Sequence, residues 1–214
     1  MKTLRVGSLG GTFDPIHNGH LHVARRVRRL FSLDEIWFLI ARTPPHKKSA
    51  GIAAEWHRCS MVTLATENEA RFKICHRELS ADSGYTIDTL RALRRELAGR
   101  PRFYFIAGGD ALRDLPKWHC FEALLEEFPM IFVQRPDSRG GELPTPLDPR
   151  VAARVRPYRA GDRPWEQGSF LVNVGAPDIS STAIRTASNS RSIAAWVPPE
   201  VYRYIRKYRL YEKP

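Results

Sequence analysis

Over its first 136 residues the chain alternates short apolar runs with amphipathic helical stripes, and that alternation leaves few folds open. Residues 4–9 form a short apolar run ending in glycines, and residues 35–41 (EIWFLIA) read as a buried strand. Residues 72–79, 103–107 and 130–134 read as further strands. Residues 20–31, 54–66 and 86–97, and a segment within 121–128, carry apolar residues at helical spacing. Strands alternating with helices argue for a parallel sheet with helices on both faces. Right-handed crossovers make that sheet doubly wound. The expected fold class is therefore α/β, a Rossmann-like doubly wound parallel sheet with a small helical C-terminal part. That last part holds a strand at 170–174, a helix from Ser181 and another around 199–208.

At 214 residues the chain is expected to be one domain, with a core at 1–136, a surface excursion at 137–168 and a C-terminal strand and helices at 169–214. Residues 136–168 hold ten of the chain's thirty Gly and Pro residues and six arginines, with a short helix expected around 151–155. This excursion is a candidate surface for assembly into a homo-oligomer. The longest apolar run is residues 36–41, far short of the ~20 residues of a membrane span, so no membrane partner is expected. The opening MKTLRVGSLGG lacks the apolar core of a secretory signal, and cytoplasmic residence is the expectation. Cys59, Cys75 and Cys120 are odd in number, widely spaced and without a C-x-x-C, which argues against a disulfide scaffold or a Cys-rich zinc site.

The net charge of +11 fits an anionic partner: nucleic acid, a membrane surface or phosphorylated small molecules. The local run Arg25, Arg26, Arg28 and Arg29 reads as a solvated helix face, because Leu21, Ala24, Val27 and Phe31 form the inner stripe. The segment Gly10-Gly11-Thr12-Phe13-Asp14-Pro15-Ile16-His17-Asn18-Gly19-His20 lies between the first strand and the first helix. Open α/β sheets bind ligands there, outside the carboxyl end of a strand. Two glycines let the backbone approach a phosphate, and the helix start offers free N–H groups to an anion. His17 and His20, three apart, share one side of a first helical turn and can donate to phosphate oxygens as charge builds. A Gly-Gly pair is also an ordinary turn, and two histidines so spaced are also ordinary surface residues or metal ligands. The H-E-x-x-H helix of a zinc site is missing, and so is the G-x-G-x-x-G of a dinucleotide site.

Gly11-Thr12-Phe13-Asp14-Pro15-Ile16-His17-Asn18-Gly19-His20 resembles the T/H-x-G-H signature of the nucleotidyltransferase superfamily. Four further segments follow in order: Pro44-Pro45-His46-Lys47; Ser83-Gly84-Tyr85-Thr86-Ile87-Asp88-Thr89-Leu90; Gly108-Gly109-Asp110 with Pro116-Lys117-Trp118; and Ile179-Ser180-Ser181-Thr182-Ala183-Ile184-Arg185. Together they resemble the bacterial nicotinate-nucleotide adenylyltransferases over nearly the whole chain, residues 4–210. The resemblance implies transfer of the adenylyl group of ATP to nicotinate mononucleotide, giving nicotinate adenine dinucleotide and pyrophosphate, with Mg2+ carried by ATP.

Residue roles come with the resemblance. His17 and His20 are implied to contact the ATP phosphates and stabilise the transition state. Gly10, Gly11, Thr12 and Phe13 are implied to line the phosphate-facing backbone. Gly108 and Asp110 are implied at the ribose, and Ser181, Thr182 and Arg185 at the triphosphate. On the acceptor side, Trp118 resembles the residue on which the pyridine ring stacks, although a buried core Trp is the ordinary reading. Tyr85 and Thr86 are expected near the ring carboxylate, with Thr86 as a helix N-cap. His46 and Lys47 are implied to form a basic loop over the site, and Arg135 to reach the acceptor phosphate, although Pro44-Pro45 also reads as a rigid turn and Gln134-Arg135-Pro136 as plain punctuation at a strand end. His119 stands where many such relatives carry Tyr. The alternatives are pantetheine phosphate or nicotinamide mononucleotide as acceptor, and a nucleic-acid-binding module. The last predicts exposed aromatics among basic residues or a helix-turn-helix, and neither is present in the sequence, so no nucleic-acid partner is expected.

Overall fold

Alternate residues of each strand feed opposite faces of one sheet, and this builds two cores. The computed structural model describes residues 3–42, 51–80, 84–98, 100–134, 142–162, 168–187 and 190–212. The strands are β1 (Leu4–Gly11), β2 (Glu35–Ile40), β3 (Phe72–Cys75), β4 (Pro101–Gly108), β5 (Met130–Val133), β6 (Val155–Pro157) and β7 (Ser169–Val172). All pair in parallel, in the order β3-β2-β1-β4-β5-β7-β6. The order reverses between β1 and β4, so a crevice opens at their carboxyl ends, where Gly11 and Gly108 lie.

On β4 and β5, Tyr104, Ile106, Ile131 and Val133 enter one core, and Phe103, Phe105, Met130 and Phe132 the other. The first core is covered by α1 (Asn18–Leu30), α2 (Glu55–Thr66), α8 (Ser181–Thr186) and α10 (Pro199–Lys207) through Leu21, Val27, Met61, Ile184 and Val201. The second is covered by α4 (Thr86–Glu96), α5 (Ala111–Asp114), α6 (Phe121–Glu127) and α7 (Pro149–Ala152) through Leu90, Leu112, Leu124 and Val151. The arginine-rich face of α1 is solvated as expected, with Arg25 paired to Glu69 at 2.6 Å.

Four local expectations change. The strand expected at 72–79 stops at Cys75, and Arg77–Ser80 forms the short helix α3. The interval of four between Cys75 and Leu79 fits strand alternation as well as a helical turn, so the pattern does not separate the two. The expected excursion contributes an edge strand: Val155, Arg156 and Pro157 of β6 pair with Ser169, Phe170 and Leu171. A three-residue strand containing Pro leaves almost no pattern, and Pro is tolerated only because the strand is an edge. The helix expected at 151–155 lies at Pro149–Ala152, started by the Asp148 carboxylate accepting from Arg150 N–H and by Pro at its first position. Between the helix expected from Ser181 and the one expected around 199–208 lies a further helix, α9 (Ser190–Trp196), that the sequence pattern did not indicate.

Candidate active site

The end of β1 is shaped by two aromatic rings. A Cβ at Gly10 would lie 2.5 Å from the Phe105 ring, and one at Gly11 would lie 2.9 Å from the Phe13 ring. Both glycines are therefore demanded by packing, beyond any approach to a phosphate. Phe13 takes a left-handed φ of 50° and is buried against Phe38 and His20, at ring distances of 5.5 and 5.1 Å. Thr12 beside it is exposed.

His17 is the N-cap of α1 and His20 its third residue, so both sit at the helix start as the spacing required. Their rings stack at 3.7 Å with 27° between planes. The His17 backbone N–H donates to His20 Nδ1 at 3.3 Å, so the ring proton of His20 is assigned to Nε2, a free donor. His17 Nδ1 is buried without a hydrogen-bond partner and lies 2.9 Å from where a Cβ on Gly19 would stand. Burial lowers the His17 pKa to about 4. Burial, and then its neighbour His17, push His20 well below the usual histidine range. Both imidazoles are neutral at pH 7: they can donate N–H groups without carrying charge.

Fixed positive charge comes from arginines instead. Arg185 Nη1 donates to the Asp14 carbonyl oxygen at 2.7 Å, and its Nη2 to Thr182 Oγ1 at 3.3 Å. Ser181 Oγ donates to the Pro15 carbonyl at 2.9 Å. Ser181, Thr182 and Arg185 are thus brought against the loop that leads to His17. Ser180 caps α8 by accepting from Ala183 N–H at 3.1 Å. Beneath the same loop Arg58, with its side chain wholly buried, donates to the carbonyls of Thr12 (2.7 Å) and Ala41 (2.9 Å). It ties the end of β1 to the end of β2.

Across the crevice, Gly108 and Asp110 are exposed at the end of β4. Asp110 folds back over Gly108, where a Cβ would run into Asp110 Oδ1. Trp118 is half-buried, edge-on to Phe105 at 6.0 Å and 80°. One ring, Phe105, therefore separates Trp118 from Gly10. Tyr85 and His119 stack at 4.2 Å and 19°. Thr86 is the first helical residue of α4 and not its cap: Tyr85 holds the N-cap position, with no side-chain cap bond. His46, Lys47 and Arg135 lie outside the described residues. Among the described residues no group of three or more His, Cys, Asp or Glu side chains could hold a metal ion.

The cytidylyltransferase-like family model matches residues 8–187. A Geobacter metallireducens protein is 39% identical over 213 residues, covering 97% of this chain and 98% of the relative. An Oceanobacillus iheyensis protein is 39% identical over 210 residues, 96% of each chain. Both carry the name "Probable nicotinate-nucleotide adenylyltransferase". The chain belongs to the nicotinate-nucleotide adenylyltransferase family. A solved structure, the Plasmodium falciparum nicotinic acid mononucleotide adenylyltransferase complexed with NaAD, superposes with a TM-score of 0.71 at 26% identity, covering 97% of both chains.

Sequence reasoning on this adenylyltransferase family member missed two residues that shape the site, Asp14 and Arg58. Asp-Pro reads as a turn, and an arginine on a helix reads as solvated. The available signal was position: Arg58 precedes Met61 and Val62 by three and four residues, which puts it on the inner stripe of α2.

Proposed function

We propose that this chain transfers the adenylyl group of ATP to nicotinate mononucleotide by direct in-line attack, with His17, His20 and Arg185 as its phosphate-binding groups. The enzyme is a nicotinate-nucleotide adenylyltransferase acting in NAD biosynthesis, on its relationship to full-length relatives at 39% identity. The observation that carries the mechanistic reading is the pair of stacked imidazoles at the start of α1, preceded by a loop whose Asp14 and Pro15 carbonyls accept from Arg185 and Ser181 of α8.

The acceptor's phosphate oxygen attacks the α-phosphorus of ATP. A new phosphoanhydride bond forms, the bond from the α-phosphorus to the oxygen bridging to the β-phosphate breaks, and pyrophosphate leaves with that electron pair. The nucleophile is already anionic near neutral pH, so no general base is required. Catalysis reduces to holding two anions in line and neutralising charge. Nε2–H of His20 donates to a phosphate oxygen, and the N–H groups at the start of α1 add the positive end of a helix dipole. Arg185 keeps donors for phosphate oxygens while Asp14 and Thr182 fix its plane. We assign Mg2+ to the nucleotide substrate, held by phosphate oxygens and water, where it supplies charge neutralisation.

For the acceptor, Trp118 supplies an aromatic face to the pyridine ring, with Phe105 setting its angle. Tyr85 and Thr86 place the uncapped first turn of α4 near the ring carboxylate, which favours the acid over the neutral amide. Gly108 and Asp110 bind ribose, Asp110 accepting hydroxyl protons. By the family resemblance, His46 and Lys47 are assigned to a basic loop serving the acceptor, and Arg135 to its phosphate. The reading takes the chain as one nucleotidyltransferase domain in the cytoplasm; no helix among the described residues is long and apolar enough to cross a membrane.

The experiment is stereochemical. With ATP made chiral at the α-phosphorus by sulfur substitution, direct displacement gives a dinucleotide of inverted configuration. Retention would mean a covalent adenylyl-enzyme and would overturn the single-step mechanism.

A further inference from the structure

The C-terminal segment reaches into the loop between β1 and α1. After α10 the chain reverses: Leu210 N–H donates to the Ile205 carbonyl at 3.0 Å, and Arg209 and Tyr211 take left-handed φ values of 51° and 65°. Non-glycine residues seldom adopt that conformation. The reversal places Tyr211 Oη 2.6 Å from Asp14 Oδ1, to which it donates. Asp14 is wholly buried, and its Oδ1 also accepts from the Ala53 N–H at 3.2 Å. Its carbonyl oxygen accepts from Arg185 Nη1, and Arg185 Nε lies 3.7 Å from its Oδ2. Segments around residues 53, 185 and 211 thus converge on one carboxylate, three residues before His17.

We propose that Tyr211 is a positioning residue for the phosphate site: through Asp14 it holds Arg185 and the loop leading to His17 in the geometry that receives the triphosphate. The inference rests on the phosphate-site reading given above. A buried carboxyl tends to bind a proton, and burial raises Asp14. Opposing this are the Tyr211 hydroxyl, the Ala53 N–H and the guanidinium groups of Arg185 on α8 and Arg58 on α2. Ionised, Asp14 is an acceptor only and orients Arg185. Without the Tyr211 hydroxyl the carboxylate loses its shortest donor, takes up a proton at higher pH and releases its hold on Arg185.

The test measures ATP dissociation constants by calorimetry on the full chain, independent of any acceptor. Wild type, Tyr211→Phe, Asp14→Asn, the double variant and Glu212→Gln are compared from pH 6 to 8, with unfolding temperatures recorded for each. Tyr211→Phe keeps the ring and is expected to weaken ATP about tenfold, the scale of one hydrogen bond to a charged group. The ratio to wild type is expected to grow as pH falls. The double variant is expected to bind no more weakly than Asp14→Asn alone. Glu212→Gln, which removes only a surface contact to Arg206, is expected to match wild type. A Tyr211→Phe chain that binds ATP like wild type, or losses that add in the double variant, would overturn the inference, as would a fall in unfolding temperature with unchanged ATP affinity. Failure of wild type itself to bind ATP would instead overturn the phosphate-site reading.

Discussion

A histidine held neutral donates a proton in a hydrogen bond but brings no charge, and burial holds His17 in that state down to about pH 4. The profile of kcat/KM against pH is therefore expected to show no His17 limb between pH 6 and 8. An acid limb near pH 6 belongs to the substrate phosphate, whose second ionisation lies at about 6. A limb near 6.5 that disappears in His17→Asn would contradict this assignment. The same variant is expected to lose about 100- to 1,000-fold in kcat, the cost of one preorganised donor, with a smaller change in KM. Both histidines are legible in the sequence, since three-residue spacing at a strand-to-helix junction puts them on one side. Asp14 and Tyr211 are not, because residues 197 positions apart meet only when the sheet is assembled.

At the scale of elements, strand ends and helix starts act together. Gly10 on β1, Phe105 on β4 and Trp118 after α5 form a row of contacts from the phosphate side to the acceptor side. Gly10→Ala would press a methyl group into the buried Phe105 ring. The expected cost is about 1–3 kcal/mol in urea unfolding, with a raised KM for the acceptor as Trp118 shifts. On α3, Glu78 is buried, and burial raises its carboxyl from 4.5 to about 7. The folded state thus holds this proton more tightly than the unfolded chain. Its contribution to stability is full below pH 4.5 and is lost as pH rises through about 7. Glu78→Gln is expected to gain on wild type between pH 5 and pH 8 by about 2.5 kcal/mol. An equal difference at both pH values would show that Glu78 is solvated. The helix α3 was not legible, because four residues give too short a window to separate a helix from the tail of a strand. The long stripes of α1 and α4 were, with no boundary shifted by more than two residues.

For the whole molecule, the alternation of strand and helix fixes the parallel sheet, and the strand order fixes where the crevice opens. What the pattern leaves out is the edge: β6 is three residues long and contains a proline, so only pairing with β7 reveals it. The charge of +11 acts at this scale as well. Two phosphorylated substrates approach a cationic protein, so kcat/KM is expected to fall as salt is raised from about 0.02 to 0.2 M while kcat changes little. A flat salt profile of kcat/KM would remove steering from the account. The central claim is the reaction and its acceptor. Its most direct test is pyrophosphate release from ATP with Mg2+, comparing nicotinate and nicotinamide mononucleotides at subsaturating concentration. The account predicts release with the acid at an efficiency at least about tenfold above the amide, the scale of a carboxylate at an uncapped helix start. Equal efficiencies would contradict the role given to α4, and no release with the acid would contradict the reaction itself.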